Sequence, residues 1–418
     1  MRSRRVSVAA VALLTAIGGL GWPAQASSAS SVATVVSTDA TNYLIDAQHS
    51  GTATAVPTNA KQLWKLDLGG ELTYPLIVGN VVYELVADVQ TPTDLYGGHL
   101  LALDLRTGKT IWGPVHLSDG VYLTGLAYDN GRLFLAATPA LSLLRSFSAA
   151  TGALLWSVVS PINGSDPPTT YGGVLYVSGS GPSGSRLDCG GRMLAVNESN
   201  GATLWIAGSS VSYYCGLGSA PTVGPPGVFV YSASQVYGFS STGQNLWHNL
   251  GQSYGATHNQ TPALRGTTLW IRDGDNYATA GGGILSTATG VLKRSYSSGE
   301  SPVFAVNKVF CVTTGPPNSP FAGDLTASSA STGTFAWRQG HTAYSGYNQP
   351  LVAGAVVYTV FTQAILPTAA VEGFDVHTGK LVWSAPVNQA TYSPGYEVMA
   401  AAHGVLVVPI HHVLYAFG

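Results

Sequence analysis

Seven residues with amide, carboxylate or phenol side chains stand just before or at short apolar runs in the second half of the chain. They are Gln260, Glu300, Tyr347, Asn348, Gln349, Tyr396 and Glu397. Aromatic rings that carry a hydroxyl group, together with amides, suit neutral polar ligands such as sugars, through stacking and directed hydrogen bonds. These residues are the candidate ligand-binding set. The alternative is that they are solvated loop residues without a ligand.

Sequence patterns for other kinds of chemistry are weak. Gly179 to Gly184 matches a dinucleotide-binding glycine pattern, but the chain has 51 glycines and no helical pattern follows. Asp273 to Asn276 resembles the start of a calcium loop, yet Ile284 stands where such a loop needs a glutamate, so structural Ca²⁺ is only weakly indicated. The ten histidines are scattered, and adjacent His411 and His412 must point to opposite faces of a strand. We therefore predict no catalytic residues and no metal site.

The elements that position the candidate residues are set by a repeat. A turn, usually Thr-Gly, is followed four residues after its glycine by tryptophan, or once by arginine, and a lone tryptophan opens the series. The intervals between these marks are 42 to 49 residues, a period typical of β-propeller blades. The marks are Trp64, Trp112, Trp156, Trp205, Trp247, Arg294, Trp337 and Trp383.

Each repeat contains four strand-like runs. In the first, the apolar run that starts at Leu100 ends at Asp104, whose side chain can bind the backbone of the turn, while Gly108 accepts a positive φ. The strand that returns from this turn carries Trp112, whose large apolar surface is expected to pack against a neighbouring sheet. The sequence therefore predicts an all-β fold of four-stranded blades.

The two ends of the repeat region are complementary. Residues 397–418 supply three strands without a fourth, whereas residues 61–66 supply a fourth strand without the first three. Pairing of the N- and C-terminal strands would close an eight-bladed propeller over residues 61–418 and remove free sheet edges. In that arrangement the seven candidate residues rim the central channel.

The repeat resembles those of quinoprotein-like β-propellers, the superfamily that holds the pyrroloquinoline quinone (PQQ) alcohol dehydrogenases and the propeller lipoprotein of the Bam complex. The family pattern is carried by Leu101 to Trp112, Leu194 to Trp205, and Gly373 to Trp383. The resemblance covers residues from about 60 to 418 and implies the fold. It implies little about activity, because such propellers serve as enzymes, scaffolds and binding modules.

The sequence departs from the enzymes of this superfamily. Quinoprotein dehydrogenases carry an adjacent cysteine pair over the quinone, whereas the three cysteines here, Cys189, Cys215 and Cys311, are far apart. We therefore expect no PQQ. Cys189 and Cys215 fall on the same face of the third blade, so we expect a disulfide between them. Cys311 lies in an apolar run and is expected to be buried.

The N-terminus reads as a targeting segment. Arginines precede an apolar stretch that ends at a small-residue site before Ser27, so residues 1–26 are predicted to be a signal peptide cleaved after Ala26, which implies secretion. A twin-arginine route is a weaker alternative to the general one. After the leader no apolar run is long enough to span a membrane. Without the leader's three arginines, 15 basic residues remain against 20 acidic ones, which argues against nucleic acid as a partner.

Residues 27–60 form an N-terminal extension that precedes the first predicted blade strand. We expect it to lie against the outside of the propeller. A ligand role for Asp46 or His49 is the less favoured alternative, because polar loop residues are often only solvated.

These observations favour a secreted, monomeric, non-catalytic β-propeller that binds a partner protein or a polysaccharide. The alternative is a secreted enzyme, either a polysaccharide lyase or hydrolase or a degenerate quinoprotein dehydrogenase, with its site at the mouth of the central channel.

Overall fold

A computed structural model describes the chain over fifteen ranges: residues 38–88, 97–117, 124–137, 142–164, 166–182, 191–208, 219–232, 235–249, 261–273, 281–296, 301–313, 323–340, 345–363, 368–388 and 398–418. Within these ranges the secondary structure consists of strands and turns. They contain no helix that is long and apolar enough to cross a membrane.

The strands form eight separate sheets, which are the blades, and successive strands that pair within a blade are antiparallel. Two strands precede the first blade in the chain and join later blades: β1 (Thr52–Ala53) and β2 (Gln62–Asp67). Blade 1 contains β3 (Glu71–Leu72), β4 (Leu76–Val78), β5 (Val81–Ala87), β6 (Gly98–Asp104) and β7 (Thr110–Leu117). Blade 2 contains β8 (Leu126–Asp129), β9 (Arg132–Ala137), β10 (Leu143–Ser148) and β11 (Leu154–Val159).

Blades 3 to 5 repeat this order, with one additional short strand in blade 3. Blade 3 contains β12 (Ile162–Gly164), β13 (Thr169–Tyr171), β14 (Val174–Pro182), β15 (Gly191–Asn197) and β16 (Thr203–Gly208). Blade 4 contains β17 (Thr222–Gly224), β18 (Gly227–Ser232), β19 (Gln235–Phe239) and β20 (Asn245–Asn249). Blade 5 contains β21 (Ala263–Arg265), β22 (Thr268–Asp273), β23 (Gly281–Ser286) and β24 (Leu292–Tyr296).

The last three blades complete the series. Blade 6 contains β25 (Val303–Ala305), β26 (Lys308–Thr313), β27 (Asp324–Ser329) and β28 (Phe335–Gln339). Blade 7 contains β29 (Ser345–Tyr347), β30 (Leu351–Ala353), β31 (Val356–Gln363), β32 (Thr368–Asp375) and β33 (Leu381–Asn388). Blade 8 contains β34 (Ala400–Ala402), β35 (Val405–Ile410) and β36 (Val413–Phe417).

The eighth blade is completed from the other end of the chain. β2 pairs antiparallel with β36, so that Lys65 lies opposite Tyr415, and the amides of Lys61 and Gly418 each donate to the other residue's carbonyl. With this pairing each of the eight blades has its fourth strand, as the complementary ends of the sequence predicted. The eight-bladed all-β propeller is therefore confirmed.

Tryptophans on the fourth strands join a blade to the next at seven of the eight junctions. The indole N–H of Trp64, for example, donates to the carbonyl of Leu105 at 3.0 Å, and a Cβ on Gly108 would lie 2.8 Å from the ring. The glycine of the turn therefore leaves room for the ring of the preceding blade. The same N–H···O=C bond joins Trp112 to Ala149, Trp156 to Glu198, Trp205 to Ser241, Trp247 to Thr287, Trp337 to Val376 and Trp383 to Ala60.

Candidate functional site

The central channel is filled by the chain's own N-terminal segment, residues 40–53. We call this stretch the channel segment. The first strand of each blade faces the channel, and the channel segment forms backbone hydrogen bonds with six of these strands, in blades 1, 2 and 4 to 7. The segment meets the blades in their chain order: Ala40 with Ile77, Thr41 with Tyr128, Ala47 with Val223, Gln48 with Leu264, Ser50 with Phe304, and Gly51 with Val352.

Blade 3 is contacted through a side chain. Asn42 Oδ1 accepts from the amide of Thr170 at 2.8 Å, which takes the place of the backbone bond that the other inner strands make. The last residues of the segment form β1, which pairs in parallel with β30. Since these contacts engage the inner strands of seven successive blades, the segment acts as a ring inside the ring of blades.

Polar side chains fix the path of the segment. His49 is fully buried, with Nδ1 2.7 Å from the carbonyl oxygen of Tyr43 and Nε2 2.9 Å from that of Pro221. Burial lowers the pKa of His49, and its hydrogen bonds to the two carbonyls act in the opposite direction. Asp46 Oδ1 accepts from the amides of Gln48 and Ser50, each at 3.0 Å. Burial raises the pKa of Asp46, and the bonds to Ser50 and its neighbours partly offset this effect.

The expectation that the extension lies against the outside of the propeller is wrong for these residues. Tyr43, Leu44 and Ile45 are buried in the cores between blades and the channel, and Gly51 has a φ of +58°. A Cβ at Gly51 would lie 2.1 Å from Val303 Cγ1, so only glycine fits against blade 6. Asp46 and His49 organise the segment itself.

Three of the seven residues predicted at the channel rim lie in the described part of the chain. Tyr347 is buried, its ring meets Phe374 edge-on at 5.7 Å between centroids, and its hydroxyl donates to Glu372 Oε2 at 3.2 Å. Gln349 is also buried, and its Nε2 donates to the carbonyl of Ser301 at 2.9 Å, which joins blade 7 to blade 6. Asn348 is half-buried between them.

The structure therefore brings Tyr347, Asn348 and Gln349 together at the start of blade 7, with two of the three side chains packed inside. The other four predicted rim residues, Gln260, Glu300, Tyr396 and Glu397, lie outside the described residues, as do Cys189 and Cys215 of the predicted disulfide. Cys311 is buried in blade 6.

A cluster that sequence reasoning missed lies at one end of blade 1. Asp88, His99 and His116 each present one metal-ligating atom, and these atoms all lie within 4.8 Å of one another. Asp88 follows β5 directly, His99 is in β6 and His116 is opposite it in β7. Although the histidines are scattered in the sequence, the structure brings these two together. Only the pairing register of β6 with β7 could have revealed it.

The channel segment was also missed as a structural element. The sequence does contain one signal for it, the apolar triplet Tyr43-Leu44-Ile45 within an otherwise polar stretch. Such a triplet indicates that the stretch is buried, because a solvated peptide has no need of adjacent large apolar side chains.

Comparisons with known proteins agree with this architecture. The family described as "Outer membrane protein assembly factor BamB" matches the chain in three overlapping stretches, residues 96–258, 142–292 and 263–410. A search of the curated proteins finds no match.

Solved structures share the fold at low sequence identity. BamB from Moraxella catarrhalis has a TM-score of 0.57 at 14% identity, over 86% of this chain and 97% of that one. A europium-containing methanol dehydrogenase gives a TM-score of 0.62 at 14% identity, over 90% of each chain. The quinohemoprotein alcohol dehydrogenase from Comamonas testosteroni gives 0.65 at 14% identity, over 91% of this chain and 80% of that one. At such identities the likeness shows the fold alone.

Proposed function

Because this chain belongs to the family of the outer membrane protein assembly factor BamB, as a PQQ-like repeat β-propeller, we propose that it is a non-catalytic scaffold that binds a partner protein. The observation that carries the proposal is the filled channel. A propeller whose inner strands are already bonded to its own N-terminal segment has its outer surfaces left for recognition.

The filled channel also bears on the quinone cofactor of the dehydrogenase relatives. A quinone needs an apolar clamp on both faces of its ring and a Ca²⁺ ion held by several oxygens. In the described part of the channel, polar groups of the segment are bonded to the inner strands or to one another, and Ala40, Leu44 and Ile45 take up apolar space there. These residues do not fit a quinone, and no catalytic step through one is proposed.

The outer strands of blades 2 and 3 are the proposed docking surface. In β11, Leu154 and Val159 are 55% and 60% exposed, and in β16 Leu204 is 50% exposed. Neither strand carries a charged residue, a property that β7, β20 and β33 share, whereas β24 and β28 carry Lys or Arg. β11 and β16 lie on adjacent blades and together expose five large apolar side chains, Leu154, Leu155, Val159, Leu204 and Ile206. Natural proteins commonly protect an edge strand with charges, so an uncharged apolar edge favours an extended segment of a partner that adds to the sheet.

A protein partner is favoured over a polysaccharide by the position of the predicted sugar-binding residues. Tyr347 and Gln349 are buried and hydrogen-bonded within the propeller, so the ring of Tyr347 and the amide of Gln349 are not accessible to a sugar. The proposal includes export of the chain, which rests on the predicted signal peptide alone.

Site-specific cross-linking tests the proposal. A photo-reactive amino acid placed at Leu155 of β11 or Leu204 of β16 should give one discrete cross-linked protein in the organism that makes the chain. The matched control is the same probe at Val291, which is 63% exposed beside Lys293 of blade 5 and should give none. Leu155→Asp should then weaken binding to the identified partner without changing the melting temperature.

Three outcomes would contradict the proposal. Equal cross-linking at all three positions would show that blades 2 and 3 are not a specific surface. Saturable binding to a polysaccharide array, with no protein partner, would show that the chain recognises carbohydrate and not a protein. Dye-linked alcohol oxidation after addition of PQQ and Ca²⁺ would make the chain a dehydrogenase.

A further inference from the structure

We propose that Asp88, His99 and His116 form a binding site for a divalent transition-metal ion of the zinc type, at one end of blade 1. His99 and His116 lie on neighbouring strands of one sheet and Asp88 directly follows the next strand, so the blade itself holds the three side chains together. This inference does not depend on the proposed partner protein.

The pairing register explains why the side chains converge. His99 in β6 lies directly opposite His116 in β7, and residues opposite each other in an antiparallel pair point to the same face. Val86 lies opposite His99 on the other side, and Asp88 is two residues further along, so it is the diagonal neighbour of His99 on that same face. The amide of Asp88 donates to the carbonyl of Gly97 at 3.0 Å, which extends the ladder to the ligand itself.

The distances suit a metal ion. His99 Nδ1 and Asp88 Oδ1 are 2.7 Å apart, and the two imidazole rings are 5.8 Å apart between centroids. Ligands of a tetrahedral zinc ion lie about 3.3 Å from each other, given zinc–ligand bonds of about 2.0 Å. Binding of a metal ion would open the 2.7 Å separation and close the widest one, which is within 4.8 Å, to about that value. The metal ion then takes the place of the hydrogen bond between His99 and Asp88.

The donor set selects the kind of metal. Two imidazole nitrogens and one carboxylate oxygen suit zinc and its neighbours in the transition series, whereas Ca²⁺ and Mg²⁺ prefer oxygen ligands throughout. Three protein ligands also leave one coordination position for water. The exposed ring of His116 places that position toward solvent.

A hydrogen bond between His99 and Asp88 alone would account for those two residues but not for His116. The His116 ring makes no hydrogen bond among the described residues, although it faces the other imidazole at close range. A metal ion gives all three side chains one common function.

Cobalt titration of the full-length protein, prepared without a polyhistidine tag, tests the inference. We expect one saturable equivalent of Co²⁺ with the visible absorption of a site with nitrogen and oxygen ligands, which Zn²⁺ displaces and Ca²⁺ does not. His99→Ala and His116→Ala should each weaken binding at least about tenfold, the loss that even outer-shell partners of metal sites cause.

His248→Ala is the matched control. Like His116 in blade 1, His248 lies on the fourth strand of its blade, but it stands opposite Tyr237 instead of a histidine and should leave the titration unchanged. The inference is overturned if no saturable equivalent is found, if either blade 1 variant binds as well as the parent, or if His248→Ala loses binding as they do. Thiolate-to-cobalt charge transfer would also overturn it, because it would place the metal at cysteine. Equal circular dichroism spectra for all variants establish that each one is folded.

Discussion

The amide nitrogen of Val352 lies 2.8 Å from the carbonyl oxygen of Gly51, so an inner strand of blade 7 donates to the segment that precedes blade 1. Five other blades exchange a comparable backbone bond with this segment, and blade 3 is reached through Asn42. A contact that engages seven blades opposes their separation. We therefore expect the channel segment to stabilise the whole ring as well as to fill it.

A pair of glycine substitutions tests how tightly the segment fits. Gly51 and Gly79 have almost the same positive φ, +58° and +57°, but a Cβ would meet Val303 at Gly51 and nothing within 4 Å at Gly79. Gly79→Ala should therefore cost only the strain of that conformation, about 1–2 kcal/mol. Gly51→Ala should cost a further ~1–3 kcal/mol from overpacking.

The free energy of unfolding, measured by chemical denaturation, distinguishes the two variants. Equal losses would mean that Gly51 is not pressed against blade 6 in solution.

The tryptophan contacts between blades predict a difference in stability loss between two substitutions at equivalent positions. Trp383 is buried, donates to the carbonyl of Ala60 at 2.9 Å and meets Phe417 edge-on, so Trp383→Ala should cost about 3–5 kcal/mol. Arg294 occupies the equivalent position in blade 5 but is exposed, with its stem near Gly333 and its guanidinium bonded to the carbonyl of Ser331. Arg294→Ala should cost much less, about 1 kcal/mol or below. Comparable losses at the two positions would refute the role of the indole in joining blades.

A buried carboxyl predicts the direction of one pH effect. Burial, followed by the negative charge of Asp129, raises the pKa of Glu198 from 4.5 to about 8. The folded protein therefore holds this proton more tightly than the unfolded chain does, and the stabilising contribution is lost as the pH rises from about 4.5 to about 8. Glu198→Gln keeps the shape of the side chain without a titrating proton, so it should reduce this loss.

Melting temperatures of the parent and of Glu198→Gln, measured across that range, should diverge as the pH rises, with the variant becoming relatively more stable. The control is Glu71→Gln at an exposed position in β3, which should follow the parent throughout. Parallel curves for Glu198→Gln and the parent would show that Glu198 is ionised in the folded protein.

The repeat made the ring predictable because each unit carries the same turn and the same aromatic. Asp104 accepts from Thr107 and Gly108 adopts a positive φ, as their spacing predicted, and these local contacts recur at Asp375 and Gly379. Three strands without a fourth at the C-terminal end, and a lone fourth strand at the N-terminal end, were enough to predict the joint eighth blade.

The channel segment could not be predicted in the same way. It occurs once, so it has no repeat, and it binds the inner strands mainly through backbone groups, which every residue type supplies. The cluster of Asp88, His99 and His116 could not be predicted for a different reason. Two irregularities in the pairing of β6 with β7 shift the register between the turn and His99, so counting outward from Gly108 does not place His116 opposite it.

Hydrogen exchange of the channel segment, followed by mass spectrometry, tests the central claim most directly. If residues 40–53 occupy the channel, the amides of Ala40, Ile45 and Gly51, which donate to carbonyls within the fold, should exchange as slowly as those of the core strand β35. Residues 58 and 59, which are exposed, provide the fast internal reference. Exchange of residues 40–53 at the rate of that reference would contradict the account, because it would mean that the segment is solvated and the channel open.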